Sequence, residues 1–344
     1  MPEINIEKKK TPVSYESELR QDIVTGDWVV IAMGRAKRPA DFKERERAKV
    51  VSAHDPFADP EASGQEKDVL IYEGEQQGDW SLRVFPNKFP AVSRGQRVKD
   101  LSEGPYFAMS GVGYHEVVVT RDAERSLALL ETWRVAEALD AYQERYLSLM
   151  NKKSVNYIQI FHNHGQEAGA SIAHPHSQLM AIPVVSPYVN MELRGAEQYY
   201  RSHKHRVYEV MVEEELRAKK RIVFENEDFV AFCPFATRAA FEVWIVGKRR
   251  NPYFERITDE EKFTAAEALQ KALQALHTGL DDPAYNYYIH TAPCDGRDYP
   301  YYQWHIEILP HTGIWAGFEL STGIEISTTP PEMAAEYLRK QLNP

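Results

Sequence analysis

The residues best suited to chemistry form one short run near the middle of the chain, His174-Pro175-His176-Ser177-Gln178. An imidazole can bind a metal ion, act as a general base, or attack phosphorus or carbon as a nucleophile. Side chains two residues apart point the same way in extended backbone, so Gln178 would lie beside His176. A neutral amide donor suits holding a phosphoryl oxygen while a ring nitrogen attacks phosphorus. Because such an amide is a poor neighbour for a general acid, the run disfavours acid–base catalysis.

The residues before this run also suit an anionic ligand. Gly165 and Gly169 allow the backbone to approach an anion closely, and Ser171 adds a hydroxyl donor. Two further histidines, His162 and His164, would share one face of a strand. A metal site needs three or four converging ligands, usually including thiolates or carboxylates. We therefore expect these two histidines to be strand-end residues that neighbouring carbonyl groups satisfy.

The elements that must position these residues follow from the spacing of apolar side chains. Helical spacing predicts a helix over 126–150, capped by Ser126, and another over 258–278, with three acidic residues in its first turn. Apolar side chains at every second position, or in short continuous runs, predict strands. These lie over 19–23, 28–32, 69–72, 82–85, 115–120, 157–161, 178–183, 222–224, 229–232, 241–246, 287–290 and 304–309.

The two halves of the chain repeat the same order of elements. Four segments also match in sequence and in order, namely 85–91 with 224–230, 115–119 with 241–246, 156–158 with 286–290, and 176–183 with 305–310. This indicates a duplicated α+β unit, each copy an antiparallel sheet with a long helix on one face. We predict an N-terminal catalytic domain over 1–188 and a degenerate C-terminal domain over 189–344. The second domain lacks a His-x-His pair and should not carry chemistry.

Composition excludes several classes of protein. The net charge is −10 and no extended basic stripe is present, which argues against a nucleic-acid binder. The small basic group of Arg35, Lys37 and Arg38 suits a small phosphorylated ligand or a solvated turn. No apolar run is long enough for a membrane span, and the N-terminus does not resemble a secretory signal. Because Cys233 and Cys294 have no metal-type spacing, we expect a cytoplasmic protein without disulfides.

The run over 169–178, with Phe161-His162-Asn163-His164-Gly165 before it, resembles the active-site signature of the galactose-1-phosphate uridylyltransferase family. That family is a branch of the histidine-triad superfamily with two fused halves, which implies two histidine-triad-like domains here. The likeness extends over 22–39, 83–91 and 317–332. It implies that His176 attacks the α-phosphorus of UDP-glucose and then passes the uridylyl group to galactose 1-phosphate. A covalent uridylyl-histidine gives ping-pong kinetics.

The resemblance also implies roles for other residues. His174 would be a catalytic residue whose backbone carbonyl accepts a hydrogen bond from His176 and fixes its tautomer. Gln178 and Ser171 would hold the α-phosphate. The remaining substrate contacts that it implies are Asn87 and Asn163 at the nucleotide, Arg35 and Arg38 at the diphosphate or sugar phosphate, and Gly317, Phe318 and Glu319 in the C-terminal segment. It further implies a homodimer.

Many family members bind zinc through a Cys-x-x-Cys pair, a histidine and the first histidine of the His-Pro-His run. Here Asp55 and Ala58 stand at the cysteine positions and Glu124 at the histidine. The remaining set, Asp55, Glu124 and His174, is rich in oxygen and would bind zinc less well. We therefore expect this zinc site to be lost.

A second, structural metal site of the family maps onto the C-terminal half. Its residues would be Glu192, His290, His305 and Glu307. Two histidines and two carboxylates can hold iron or zinc, or they can be merely hydrogen-bonded polar residues. In either case no cofactor is needed for the chemistry itself.

Three other functions compete with uridylyl transfer. An adenylyl-transferring phosphorylase, acting on ADP-sugars or dinucleoside polyphosphates, would use the same histidine with inorganic phosphate as the acceptor. A metal-dependent hydrolase is disfavoured by Gln178 and by the absence of a compact carboxylate–histidine set. A nucleotide-binding regulator with a silent site would require the loss of His176 or its support, and both are present.

Overall fold

The computed structural model describes residues 16–33, 42, 55–76, 78–95 and 97–342. The predicted contacts Arg35 and Arg38 lie outside the described residues. The strands are β1 (Glu18–Gln21), β2 (Trp28–Ile31), β3 (Leu70–Glu73), β4 (Trp80–Pro86), β5 (Ser93–Arg94), β6 (Val112–Thr120), β7 (Tyr157–His164), β8 (His176–Ile182), β9 (Ile222–Glu225), β10 (Phe229–Phe232), β11 (Val243–Gly247), β12 (Tyr285–His290), β13 (His305–Pro310) and β14 (Ile326–Ser327). The α-helices are α1 (Thr132–Leu149), α2 (Pro187–His203), α3 (Val207–Ala218), α4 (Asp259–Leu280), α5 (Gly317–Thr322) and α6 (Pro331–Leu342).

One eleven-stranded sheet contains the strands of both halves. Its order is β3-β4-β6-β8-β7-β12-β13-β11-β10-β9, with β5 paired in parallel to β6 and the other neighbours antiparallel. Outward from the central pair β7–β12, each half repeats the same order of strands. This confirms the predicted α+β class and its duplicated antiparallel units. The strands of the two halves are joined edge to edge where β7 pairs with β12.

The long helices α1 and α4 cover one face of this sheet. Leu139 of α1 and Leu273 of α4 belong to the same buried cluster as Ile158, Ile160 and Ile289 on the central strands. The helices present apolar residues at helical spacing, and the strands present apolar residues at every second position. These two apolar faces are buried against each other. The opposite face carries smaller apolar clusters, one in which Trp244 and Val246 pack against Val212 of α3 and one around Val117 and Val119 of β6.

The helix ends agree with the sequence at α4 and differ at α1. Thr258 caps α4, accepting a hydrogen bond from the Glu261 N–H at 3.2 Å, while the Glu261 carboxylate accepts one from the Thr258 N–H at 3.0 Å. The prediction that α1 begins at Ser126 is wrong. Residues 126–130 form a turn in which the Leu129 N–H donates to the Ser126 carbonyl at 2.9 Å, and the helix begins at Thr132.

The charged linker between the halves forms two helices, α2 and α3. The predicted domain boundary at 188 falls in the first turn of α2. Strands β1 and β2 form a hairpin, and β14 from the C-terminal region pairs in parallel with β2. Among the described residues no helix has both the length and the apolar character needed to cross a bilayer.

Candidate active site

His176 is the first residue of β8, which lies between β6 and β7. Val119 is opposite His176, and Val117 and Phe161 flank Gln178 on the two sides. Because side chains alternate along a strand, His176 and Gln178 share the face that is not covered by α1 and α4. The predicted common orientation of these two side chains is therefore present.

The two nitrogens of the His176 ring have different surroundings. Nδ1 lies 2.8 Å from the His174 carbonyl oxygen. A carbonyl can only accept, so Nδ1 carries the hydrogen and Nε2 keeps its lone pair. The side chain is 92% buried, since 8% of its surface is exposed, and this burial lowers the pKa of His176. The geometry gives a neutral ring whose Nε2 has no hydrogen-bond partner among the described residues.

His174 uses both of its ring nitrogens in protein contacts. Nε2 lies 2.7 Å from the Thr120 carbonyl oxygen, and Nδ1 lies 2.8 Å from the Asp55 carboxylate. Burial raises the pKa of Asp55, but the contact with His174 and the backbone hydrogen bonds from Phe57 and Ala58 together outweigh it, and the net pKa is lowered. Both ring nitrogens therefore already have oxygen partners, and a metal ion would have to displace one of them. His174 thus fastens the Asp55 turn to β6 and presents its carbonyl to His176.

An aromatic ring from the same turn covers both histidines. The Phe57 ring centroid lies 5.2 Å from that of His176 and 5.9 Å from that of His174, both in edge arrangements. The Phe57 N–H donates to the Asp55 carboxylate at 2.9 Å. The turn therefore excludes water from one side of the His176 ring.

Gln178 and Asn163 are both held through their side-chain oxygens. The Gln178 Oε1 lies 2.8 Å from Nε2 of His115. The Asn163 Oδ1 accepts from Nδ2 of Asn286 at 2.8 Å, and Asn286 in turn lies 2.6 Å from Nε2 of His311. Both predicted ligand-binding amides consequently turn their NH₂ groups away from these protein partners.

The other predicted substrate contacts are distributed more widely. Ser171 is exposed in the loop before His174, and Asn87 is half-buried at the end of β4. Gly317, Phe318 and Glu319 form the first turn of α5, where the Glu319 carboxylate accepts from the Ala316 N–H at 3.0 Å. Glu319 lines a cavity of about 490 Å³ whose wall includes Asn286 and His311 but not His176.

His162 and His164 lie on the helix side of the sheet, and their side-chain partners are not carbonyls as predicted. Nδ1 of His162 lies 2.9 Å from the Ser177 hydroxyl, and Nε2 of His164 lies 2.9 Å from the Asp282 carboxylate. Burial lowers the pKa of His162 well below its usual value. Alternation explains the difference, since the hydroxyl of Ser177 points away from the face that His176 occupies.

The predicted metal residues of the second half converge on one buried point. Their ligand atoms all lie within 4.8 Å of one another, and the four residues are Glu192, His290, His305 and Glu307. His290 Nδ1 lies 3.1 Å from Glu192 Oε1 and 3.6 Å from Glu307 Oε1, while His305 Nε2 lies 3.5 Å and 3.3 Å from the same oxygens. A tetrahedral ion with bonds near 2.0–2.1 Å spaces its ligands by about 3.3–3.4 Å. The donor set therefore fits such an ion.

Other groups hold these ligands in place. The Nδ1 of His305 donates to the Gln303 carbonyl at 3.0 Å, which leaves Nε2 facing the carboxylates. Arg238 forms an ion pair with the second oxygen of Glu307. Burial lowers the pKa of His305, but Glu192 and Glu307 together outweigh it and raise the pKa to about 10, so that a proton holds the place on Nε2 that a bound ion would take. The cluster is electrostatically paired on all sides.

Sequence reasoning missed three residues that hold the side chains of Gln178 and Asn163, namely His115, Asn286 and His311. His115 had a usable signal, because it alternates with Val117 and Val119 along β6. Asn286 and His311 belong to the second half, and only the pairing of β12 with β7 brings them to Asn163. Nothing in the local sequence indicates that pairing.

Two family models match the chain. The model described as the N-terminal domain of galactose-1-phosphate uridyl transferase matches residues 6–186. A second, described as a domain of unknown function, matches residues 133–343.

Full-length relatives include enzymes of two specificities. The ADP-glucose phosphorylase of Arabidopsis thaliana is 33% identical over 342 residues, covering 94% of this chain and 92% of that protein. The galactose-1-phosphate uridylyltransferase of Thermotoga maritima is 28% identical over 335 residues, covering 94% and 98%. A crystal structure of the Arabidopsis ADP-glucose phosphorylase with bound ADP-glucose matches with a TM-score of 0.80 and 30% identity, covering 95% of this chain and 99% of that one.

Proposed function

Since the chain belongs to the galactose-1-phosphate uridyl transferase family and is a nucleotidyltransferase acting on sugar phosphates, we propose that His176 is its nucleophile and that its donor is an ADP-sugar. The observation that carries the first part is the hydrogen bond from Nδ1 of His176 to the His174 carbonyl. It leaves Nε2 unprotonated and fixed in a water-poor site, as a nucleophile toward phosphorus requires.

The reaction then consists of two in-line displacements at the α-phosphorus. The Nε2 lone pair forms a bond to phosphorus, and the phosphorus–oxygen bond to the sugar phosphate breaks, so that its electrons leave with the sugar 1-phosphate. A phosphate oxygen of the acceptor next attacks the same phosphorus and displaces Nε2. The acceptor is already ionised, so no general base is needed. The His174 carbonyl stabilises the charge that develops on the ring in each covalent state.

Amide donors supply the stabilisation of the transferring group. Gln178 lies on the same sheet face as His176, with its oxygen already bonded to His115. Its NH₂ group is free to donate to a non-bridging α-phosphate oxygen. We assign the nucleotide to Asn163 and Asn87 and an α-phosphate contact to the Ser171 hydroxyl. These groups stabilise charge in the transition state through positioning rather than through proton transfer.

Two findings favour an ADP-sugar with inorganic phosphate as the acceptor. The relative with 33% identity over nearly the whole chain is named an ADP-glucose phosphorylase, and its structure with ADP-glucose superimposes with a TM-score of 0.80. The second candidate is uridylyl transfer from UDP-glucose to galactose 1-phosphate. Its support is the family model over residues 6–186 and the relative with 28% identity.

Covalent labelling separates the candidates. The protein is incubated, without an acceptor, with ADP-glucose or UDP-glucose labelled at the α-phosphate. We expect acid-labile label from ADP-glucose that is absent in His176→Ala and unchanged in His203→Ala, which alters an exposed histidine. Inorganic phosphate should then release labelled ADP. A different outcome would favour the second candidate: the protein is labelled by UDP-glucose but not by ADP-glucose, and galactose 1-phosphate then removes the label.

We further propose that one zinc or iron ion lies between Glu192, His290, His305 and Glu307, and that none is bound at His174. The ion would be structural, since it would join α2 to β12 and β13. We expect about one ion per chain by elemental analysis of the purified protein, and we expect Glu192→Gln to lose it and to unfold at a lower temperature. Glu197→Gln, on the exposed side of the same helix, is the matched control. Full metal content in Glu192→Gln would contradict this assignment.

The family resemblance also supports a homodimer, which we propose as the working form. Four apolar side chains near α5 are exposed, namely Ile314, Trp315, Phe318 and Leu320. Several exposed apolar residues in one short segment are typical of an interaction surface.

A further inference from the structure

His115 lies on β6, on the same sheet face as the nucleophile. Val117, two residues further on, is opposite Gln178 in the strand pairing. The Nε2 of His115 lies 2.8 Å from Oε1 of Gln178, and its Nδ1 lies 3.2 Å from the backbone nitrogen of Ala91. Both nitrogens of this ring are thus in contact with groups of the site.

The Ala91 contact determines where the ring carries its hydrogen. A backbone N–H can only donate, so Nδ1 of His115 must accept and carries no hydrogen. The neutral ring is therefore protonated on Nε2, and Nε2–H donates to the Gln178 oxygen. The opposite orientation of the amide would place an NH₂ group against this N–H. The backbone of Ala91 consequently sets the orientation of Gln178 through His115.

Asn87 does not compete for this nitrogen. Its Oδ1 accepts from the Phe89 N–H at 2.8 Å, which turns its NH₂ group toward Nε2 of His115 at 3.3 Å. Two donors face each other there, so the contact is not a hydrogen bond. Among the described residues, the single acceptor for Nε2–H of His115 is Gln178.

We propose that His115 is a positioning residue that locks the Gln178 amide with its NH₂ group toward the α-phosphate. This inference rests on the proposed function, in which that group donates to the phosphate. A reversed amide would present its carbonyl oxygen to an anion and repel it. The amide of Gln178 has two orientations of nearly the same shape. His115 selects the one in which the NH₂ group donates to an anion.

A double-mutant cycle tests the inference through the rate of nucleotidyl-enzyme formation at saturating donor. We expect His115→Phe to slow this step about tenfold, less than the roughly 10²–10³-fold cost of deleting an oxyanion donor, because the amide is misoriented only part of the time. His115→Gln keeps a donor near Nε2 and should recover most of the rate. In the Gln178→Ala background His115→Phe should change the rate less than twofold. An equal loss in both backgrounds, or no loss in either, overturns the proposal.

A second measurement does not depend on turnover. Nitrogen NMR of ¹⁵N-histidine-labelled protein, assigned with His115→Gln, should show His115 protonated on Nε2 and unprotonated on Nδ1. Hydrogen on Nδ1 would overturn the proposal. Absence of any label from ADP-glucose or UDP-glucose in the wild type would instead remove the proposed function, and the NMR result would still decide whether His115 locks Gln178.

Discussion

At the scale of single residues, the two histidines of the His-Pro-His run differ in what their ring nitrogens contact. His176 donates from one nitrogen and no described residue bonds the other, while both nitrogens of His174 lie within hydrogen-bond distance of oxygen atoms. His174 acts on the nucleophile through its backbone carbonyl, which any residue could supply. Its side chain matters because it fixes the position of that carbonyl against Asp55 and Thr120. Its role in the proposed reaction is therefore positional.

The burial of His176 gives a prediction for the pH dependence of the first chemical step. Burial lowers the pKa of this ring, and protonation of Nε2 removes the lone pair that attacks phosphorus. We expect the rate of nucleotidyl-enzyme formation to stay level below pH 6.5 and to fall only as the pH drops through the lowered pKa. Rapid-quench labelling between pH 8 and pH 5 measures this rate, with circular dichroism at each pH as the control for folding. An inflection above pH 6.5 would contradict the assignment.

At the scale of elements, α2 docks against the turn of the β1–β2 hairpin at a glycine. A Cβ atom at Gly195 would overlap the carbonyl oxygen of Val24, which is backbone and cannot swing away. We expect Gly195→Ala to lower the free energy of unfolding by about 1–3 kcal/mol, as overpacking does. Urea unfolding measures the change. Gly111→Ala is the control, because a Cβ there meets nothing within 4 Å, and equal stability of the two variants would show that α2 can shift.

The sequence predicted the bounds of a helix well where apolar residues at helical spacing begin next to a capping residue. Helix α4 has both, and its bounds agree within two residues of 258–278. In α1 the apolar pattern already begins in the turn that precedes the helix. The pattern therefore predicts a start at Ser126, whereas the helix begins at Thr132. The common face of His176 and Gln178 was predictable because two-residue spacing determines it in a strand. His115, Asn286 and His311 were missed because contacts between strands depend on register.

At the scale of the whole molecule, duplication predicted two similar units but not how they meet. The structure joins them at β7 and β12, and this edge pairing delivers Asn286 of the second half to Asn163 of the first. The second half lacks a His-x-His pair, yet it orients Asn163, a proposed nucleotide contact of the first half. A degenerate repeat can thus keep a role in the site through the sheet it completes.

The exposed apolar residues around α5 provide a test of assembly at this scale. Ile314 is 85% exposed and Leu320 is 74% exposed, which is costly for a surface that stays in water. We expect the wild type to have twice the 39.6 kDa mass of the chain by light scattering, and the double variant Ile314→Lys, Leu320→Lys to have the monomer mass. Leu147→Lys changes an exposed leucine of α1 and should leave the mass at that of the dimer. A monomeric wild type at micromolar concentration would refute the dimer, and a dimeric double variant would place its interface elsewhere.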